Sequence, residues 1–297
     1  MSQQVKKAVF PVAGFGTRML PATKSVPKEL LPVVNKPLIQ YAFEEACAAG
    51  IEEFIFVTGR GKQALEDHFD HSVELENTLT AKGKFESLSA IKDFLPDSGK
   101  IKYVRQMQAN GLGHAILCAR DFIGDEKFAI ISPDDLVLSP DNAPCIGQLI
   151  NASFETGGNI VGVMDVDISE TAKYGILDTP NAHDKLSEIR GLVEKPAPKE
   201  APSTLSIIGR YVLSSKIFSY LENQKPDMSG EIQLTDAMAR MLDDQPFHGL
   251  RFEGIRFDCG SRLGWLEANI AFAAQDETLR SKLKNFTSQY LADTEKG

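Results

Sequence analysis

Ala8-Val9-Phe10-Pro11-Val12-Ala13 runs directly into Gly14-Phe15-Gly16-Thr17-Arg18-Met19-Leu20-Pro21-Ala22-Thr23-Lys24. The first six residues are apolar and short enough for a buried β-strand, and the glycines that follow predict a tight turn at its carboxyl end. Glycines let backbone N–H groups approach an anion closely, and Arg18 and Lys24 follow at once with positive charge. A strand, a glycine turn and two cations in that order predict a phosphate-binding loop. From residue 13 to residue 37 the cations are Arg18, Lys24, Lys28 and Lys36, and the only acid is Glu29. The whole chain is acidic, with a formal charge of -9, which argues against general nucleic-acid binding. A local basic patch at a glycine loop suits a small polyanion such as a nucleoside triphosphate better than a long one.

Outward from this loop, strand-like and helix-like segments alternate. Strands are expected at 8–12, 53–58, 100–105, 127–132, 159–166 and 203–213. Helices are expected at 38–49, 63–69, 113–122 and 143–155, with a long polar helical stretch at 74–94. This alternation predicts an α/β fold with a mixed, mostly parallel central sheet flanked by helices. Ligands of such sheets bind at the carboxyl ends of the strands, which is where the 14–24 loop leaves. The second half is less regular. Residues 174–178 and 186–194 read as a pair of shorter strands, 247–257 as a late strand and 231–243 as a helix. After Gly260 the pattern is helical to near residue 293.

With 297 residues, and no repeat or linker, the chain is expected to form a single domain. Within it, 8–170 is expected to bind mainly nucleotide and 171–260 mainly a sugar phosphate, with 261–297 as C-terminal helices. No apolar run approaches the ~20 residues that span a bilayer. Residues 1–7 show no apolar core or cleavage site, so no signal peptide is expected. Cys47, Cys118, Cys145 and Cys259 are widely spaced and form no C-x-x-C, which fits a reducing cytoplasm better than a disulfide framework.

The glycine loop is neither common nucleotide fingerprint. Met19 stands where G-x-G-x-x-G needs its third glycine, and no G-K-[ST] of a Walker A loop is present. The run G-x-G-T-R-x-x-P-x-T-K, followed by Pro27-Lys28-Glu29-Leu30-Leu31-Pro32 and Lys36-Pro37, resembles the sugar-phosphate nucleotidyltransferases. Within them it is most similar to the bacterial UTP–glucose-1-phosphate uridylyltransferase branch. The resemblance extends in family order from Ala8 to about Ala274. It implies a Rossmann-like nucleotidyltransferase fold with a smaller sugar-binding subregion. The implied substrates are UTP and glucose 1-phosphate, the implied cofactor Mg²⁺, and the implied assembly a homodimer or homotetramer. No nucleic acid or membrane partner is implied.

Nucleotidyl transfer is mainly positioning and charge neutralisation, so cations, a carboxylate-held metal and base- and sugar-reading groups are required. By resemblance, Ala13, Gly14, Gly16 and Thr17 hold the triphosphate, with Arg18 and Lys24 stabilising charge at the α-phosphorus. Phe128-Ala129-Ile130-Ile131 ends in Ser132-Pro133-Asp134-Asp135, and two carboxylates at a strand end suit a hard cation such as Mg²⁺. The resemblance selects Asp134 over Asp135 and adds Asp258, in Phe257-Asp258-Cys259-Gly260, as the second metal ligand. Uracil offers one N–H donor and two carbonyl acceptors. The family's base contacts fall here on Glu29, on Gln106 or Gln108 (Gln106 directly follows Val104-Arg105), and on Gly111 in Gly111-Leu112-Gly113-His114-Ala115. The family's V-E-K-P motif is Val193-Glu194-Lys195-Pro196, implying Glu194 on sugar hydroxyls and Lys195 on the phosphate. Tyr174-Gly175 and Gly209-Arg210-Tyr211 complete the implied sugar site, with Tyr174, Gly175 and Gly209 as its contacts. Gly230-Glu231-Ile232-Gln233-Leu234-Thr235-Asp236 also matches, and the polar Pro226-Asp227-Met228-Ser229 before it suggests a mobile edge. His68 and His71 could share a helix face but carry no assigned function, and His114 carries no catalytic role. Trp265 reads as core or interface. Phe272, Leu279, Leu283, Phe286 and Leu291 are the candidates for subunit contacts.

Overall fold

The structure is a computed structural model that describes residues 5–139 and 143–294, with side chains to residue 290. The first half contains strands β1 (Lys7–Pro11), β2 (Pro32–Val33) and β3 (Lys36–Pro37), helix α1 (Leu38–Ala48) and strand β4 (Glu53–Thr58). Helices α2 (Gln63–His68), α3 (Val73–Ala81) and α4 (Phe85–Lys92) lead to β5 (Ile101–Arg105), then α5 (Leu112–Cys118) and α6 (Arg120–Ile123). Next come β6 (Phe128–Ile131), β7 (Asp135–Leu138), α7 (Cys145–Thr156), β8 (Asn159–Asp165), β9 (Gly175–Asp178), β10 (Leu186–Glu188), β11 (Gly191–Glu194) and β12 (Leu205–Leu213). The chain closes with α8 (Ile217–Glu222), α9 (Leu234–Met241), β13 (Phe247–Arg251), β14 (Ile255–Asp258), α10 (Arg262–Ala273) and α11 (Glu277–Thr294).

Ten strands form one mixed sheet in the order β10-β13-β8-β12-β6-β1-β4-β5, with β9 joining β12 to β11. The pairs β6–β1, β1–β4, β4–β5 and β8–β13 are parallel, whereas β12 runs antiparallel to both β6 and β8. β12 lies mid-sheet and every residue of it is buried, as a strand covered on both faces requires. Alternation along β1 and β4 sends Val9, Ile55 and Val57 to one face, where they pack with residues of α5, α8 and α9. Ala8, Phe10, Phe54 and Phe56 go to the other face, against α1 and α7. A third, smaller apolar cluster includes Met19, Leu31, Leu136, Phe257 and Ala268, under the glycine loop and α10.

The fold class agrees with the sequence reading, and the differences concern continuity. The 74–94 stretch is two helices, α3 and α4, because Gly83 takes φ +64 and ends the first of them. The expected 247–257 strand is two, β13 in the main sheet and β14 in a separate ladder with β7. Residues 186–194 likewise divide, β10 pairing with β13 and β11 with β9. The turn at 226–229 is closed by hydrogen bonds. The Asp227 carboxylate accepts the Ser229 N–H at 2.8 Å, the Glu231 N–H at 3.1 Å and Gln233 Nε2 at 3.0 Å. No described helix is long and apolar enough to cross a membrane.

Candidate active site

The carboxyl ends of β1, β4, β5 and β6 open on one edge of the sheet, and the predicted residues gather there. The loop after β1 folds into short 3₁₀ turns at Thr17–Met19, Ala22–Lys24 and Lys28–Leu30. Gly16 takes φ +66, and a Cβ there would stand 2.9 Å from Lys28 Cβ, so both conformation and space demand glycine. Thr23 Oγ1 donates to the Gly16 carbonyl at 2.7 Å and closes the loop. Ala13, Gly14 and Thr17 lie along this loop, with Gly14 and Thr17 exposed.

A cavity of about 430 Å³ opens beside the loop. Its lining unites Arg18, Asp134, Asp258, Tyr174, Gly175, Glu194, Lys195 and Gly209, all predicted site residues. Asp134 and Asp258 are joined by the β7–β14 ladder, in which Asp258 stands opposite Asp135 and the Cys259 N–H donates to the Asp134 carbonyl at 2.8 Å. The two adjacent aspartates have separate roles. Asp135 is held by the Gly209 N–H at 2.6 Å and by Arg256 Nε at 2.6 Å. Asp134, which lines the cavity as Asp135 does, accepts Lys28 Nζ at 2.5 Å. Burial acts to raise the Asp134 pKa, but the adjacent Lys28 ammonium overcomes it and holds the carboxyl below its ordinary value. Asp258 is pushed the other way by burial, with Arg256 opposing. Its Oδ2 lies 3.8 Å from Arg18 Nη1, and its Oδ1 accepts the Gly260 N–H at 3.0 Å.

One wall of the cavity begins where β9 and β11 pair, with Gly175 opposite Glu194. Lys195 takes φ +45, an uncommon conformation for a lysine, and its N–H donates to the Tyr174 carbonyl at 3.0 Å. At this frayed strand end the neighbouring side chains meet, Lys195 Nζ lying 2.9 Å from Glu194 Oε1. The Tyr174 hydroxyl accepts Arg256 Nη1 at 3.2 Å, and the guanidinium lies 5.4 Å from the ring centre. Gly209 sits where the β12–β8 register shifts, and a Cβ there would come 2.4 Å from Ser132 Cβ.

The remaining predicted residues lie outside the cavity lining, along the same edge. Glu29 is fully buried, with Lys62 Nζ donating to Oε2 at 2.7 Å. Its Oε1 has no hydrogen-bond partner among the described residues. Burial pushes the Glu29 pKa up, and Lys62 and Lys28 pull it back only in part. Gln106 is buried just after β5, whereas Gln108 is exposed. The Gln106 Nε2 is taken by the Gly111 carbonyl at 3.2 Å and by His114 Nδ1 at 2.9 Å, which leaves its amide oxygen free to accept. Lys24 is exposed, and Lys28 holds the position on Asp134.

Lys28, Lys62 and Arg256 are the residues that sequence reasoning left unassigned. Arg256 was within reach: two residues before Asp258 on a strand, it must point to the same face. The pairings Lys28–Asp134 and Lys62–Glu29 join loops far apart in sequence and carry no local signal. His68 and His71 do not share a face. His68 packs against Phe69 and Phe94, while His71 pairs with Glu76 at 3.0 Å. Trp265 packs on the third apolar cluster and donates to the Pro32 carbonyl at 3.1 Å. Phe286 and Tyr290 stack on each other at the surface. The Leu291 side chain lies outside the described residues.

Comparison with known proteins gives this geometry a lineage. A family model described as nucleotidyl transferase matches residues 7–275. A UTP–glucose-1-phosphate uridylyltransferase of Komagataeibacter xylinus is 52% identical over 263 residues, 89% of this chain and 92% of that protein. The solved structure of a UTP-bound UGPase from Acinetobacter baumannii is 40% identical, with a TM-score of 0.89 over 95% of this chain and 98% of its own. A UDP-glucose pyrophosphorylase complexed with UDP-glucose is 42% identical, with a TM-score of 0.81 over 92% of this chain and 100% of its own. The chain belongs to the nucleotidyl transferase family, in the branch whose curated members are UTP–glucose-1-phosphate uridylyltransferases.

Proposed function

We propose that the chain catalyses UTP + α-D-glucose 1-phosphate = UDP-glucose + pyrophosphate. The observation that carries this reading is the single cavity in which Asp134, Asp258 and Arg18 meet Glu194 and Lys195. One side can neutralise a triphosphate and the other can read a hexose and its phosphate. A sugar-phosphate oxygen attacks the α-phosphorus of UTP in line with the departing pyrophosphate. That oxygen is already anionic, so no general base is needed, and the residues act by placement and charge. Arg18 and Lys24 on the glycine loop stabilise the charge that builds on the α-phosphate, while backbone N–H groups from Ala13 to Thr17 hold the phosphates. Lys195 binds the glucose phosphate and Glu194 its hydroxyls, with Tyr174, Gly175 and Gly209 shaping the pocket. Glu29 Oε1 or the Gln106 amide oxygen accepts the uracil N–H, and Gly111 allows the base a close approach.

Asp134 and Asp258 fit a divalent cation, because both present oxygen to the same cavity. Among the described residues, no group of three or more His, Cys, Asp or Glu is arranged to hold a metal ion by itself. Mg²⁺ suits one or two carboxylates supplemented by phosphate oxygens, and it supplies charge neutralisation at the transferring phosphate when bound. Residues 8–170 serve mainly the nucleotide and 171–260 mainly the sugar phosphate, within one domain that works in the cytoplasm. The helices from 261 onward bring chains together as a homodimer or homotetramer. Their removal is expected to lower the molar mass seen by light scattering, and an unchanged mass counts against that contact.

Pyrophosphate release with glucose 1-phosphate tests the reaction, in parallel with UTP, dTTP and no metal. Fast release with UTP and metal alone is the expected result. Release with dTTP instead moves the base specificity and keeps the mechanism. Binding of UTP without any release makes the chain a nucleotide-sensing regulator and overturns the reading.

A further inference from the structure

Arg210 is the largest side chain with no solvent exposure, and it lies outside the lining of the active-site cavity. An arginine in the middle of a core strand is costly unless each of its donors is satisfied. Here they are. Nη1 donates to the carbonyls of Ser132 and Gly209, both at 3.0 Å. Nη2 donates to the Asp135 carbonyl at 2.7 Å and to Glu45 Oε2 at 2.7 Å, and Nε donates to Glu45 Oε1 at 3.0 Å. Glu45, on α1, also accepts the N–H of Ile146 in the first turn of α7 at 2.9 Å.

The carbonyls of Ser132 and Asp135 bracket Asp134. One guanidinium therefore grips the turn on both sides of this cavity-lining carboxylate, and Glu45 braces it against two helices. We infer that Arg210, oriented by Glu45, is the positioning residue that sets Asp134 for a divalent cation. This rests on the functional reading above. Arg210 touches neither substrate nor metal; its effect passes through the backbone of the 132–135 turn. Lysine cannot substitute, because an ammonium has three donors and no planar fork.

Arg210→Lys and Glu45→Gln test the assignment. Outer supports of a metal ligand typically change metal affinity or activity about 10- to 100-fold. Both variants are expected to raise the Mg²⁺ concentration for half-maximal turnover about 10-fold or more, with turnover largely restored at saturating Mg²⁺. Calorimetric titration with UTP gives a readout independent of turnover. UTP affinity in EDTA is expected to match wild type, while the gain in affinity on adding Mg²⁺ shrinks about 10-fold. A merely structural role lowers the melting temperature and moves neither quantity. If Arg210→Lys does not fold, Glu45→Gln carries the test. Folded variants with wild-type Mg²⁺ dependence overturn the inference, as does failure of both variants to fold. Absence of Mg²⁺ dependence in the wild type instead strikes the functional reading.

Discussion

Lys24 and Lys28 belong to one loop, yet their surroundings differ. Lys24 was legible as part of the cationic run, and the structure leaves it exposed. Lys28 is drawn onto Asp134 at 2.5 Å, a contact across 106 residues that no local pattern announces. Lys24→Ala is expected to lower kcat about 10²–10³-fold, as removal of one preorganised charge-stabilising donor does. Steady-state assays of Lys24→Ala and Lys28→Ala side by side check this. Near-normal turnover in the first, with loss in the second, transfers the role to Lys28. Lys195 offers a sharper separation of stability from chemistry. Its φ of +45 costs a non-glycine residue of order 1–3 kcal/mol. Lys195→Gly relieves that strain while removing the amine. It is expected to remain within about 1 kcal/mol of wild type in urea unfolding, because glycine's gain in unfolded-state entropy offsets the relief. Glucose 1-phosphate turnover falls by about 10² or more in the same protein. A large loss of stability would show that the lysine stem carries packing instead.

Among the elements, β14 and α10 connect the Asp134–Asp258 side of the cavity to the C-terminal helices. Ser261 caps α10: its Oγ accepts the Gly264 N–H at 3.1 Å and donates to the Asp258 carbonyl at 2.9 Å. Ser261→Ala is expected to cost about 1 kcal/mol, the usual loss for a cap, measurable as a lower urea midpoint with unchanged m-value. An unchanged midpoint would mean that the helix start is held by its packing on the third apolar cluster. Strands β1, β4, β6 and β8 were readable as short, mainly apolar runs, β5 as apolar residues interspersed with charged ones, and β12 as a longer, mostly apolar run that contains Arg210. The β7 strand was not, since Asp135 opens it and its partner among the described residues, β14, lies over a hundred residues later. The break inside 247–257 did carry a local signal, since Glu253-Gly254 separates β13 from β14 and Gly254 takes φ +144.

For the whole molecule, acid stability depends in part on two half-buried histidines. Burial lowers the pKa of His68, and burial lowers that of His248 against an opposing effect of Glu188. As pH falls below about 6.5, the unfolded chain takes up protons at these rings before the folded chain does. Stability therefore declines with acidification from that point down to the lower folded values, ahead of the carboxylates. His68→Phe, which keeps the stack on Phe94, is expected to flatten this decline in unfolding free energy between neutrality and pH 5. An unaltered slope would rule His68 out as a contributor. The α/β class, the glycine loop at the end of the first strand and the motif residues that share one edge were legible without any structure. Those features are local, written in periodicity, glycine and charge. It took the folded chain to show that Lys28 meets Asp134 while Gly209 and Arg256 hold Asp135, and how Arg210 grips the turn that carries both. Each of these depends on contacts between distant segments, where burial makes a charge seek a partner that sequence proximity does not supply.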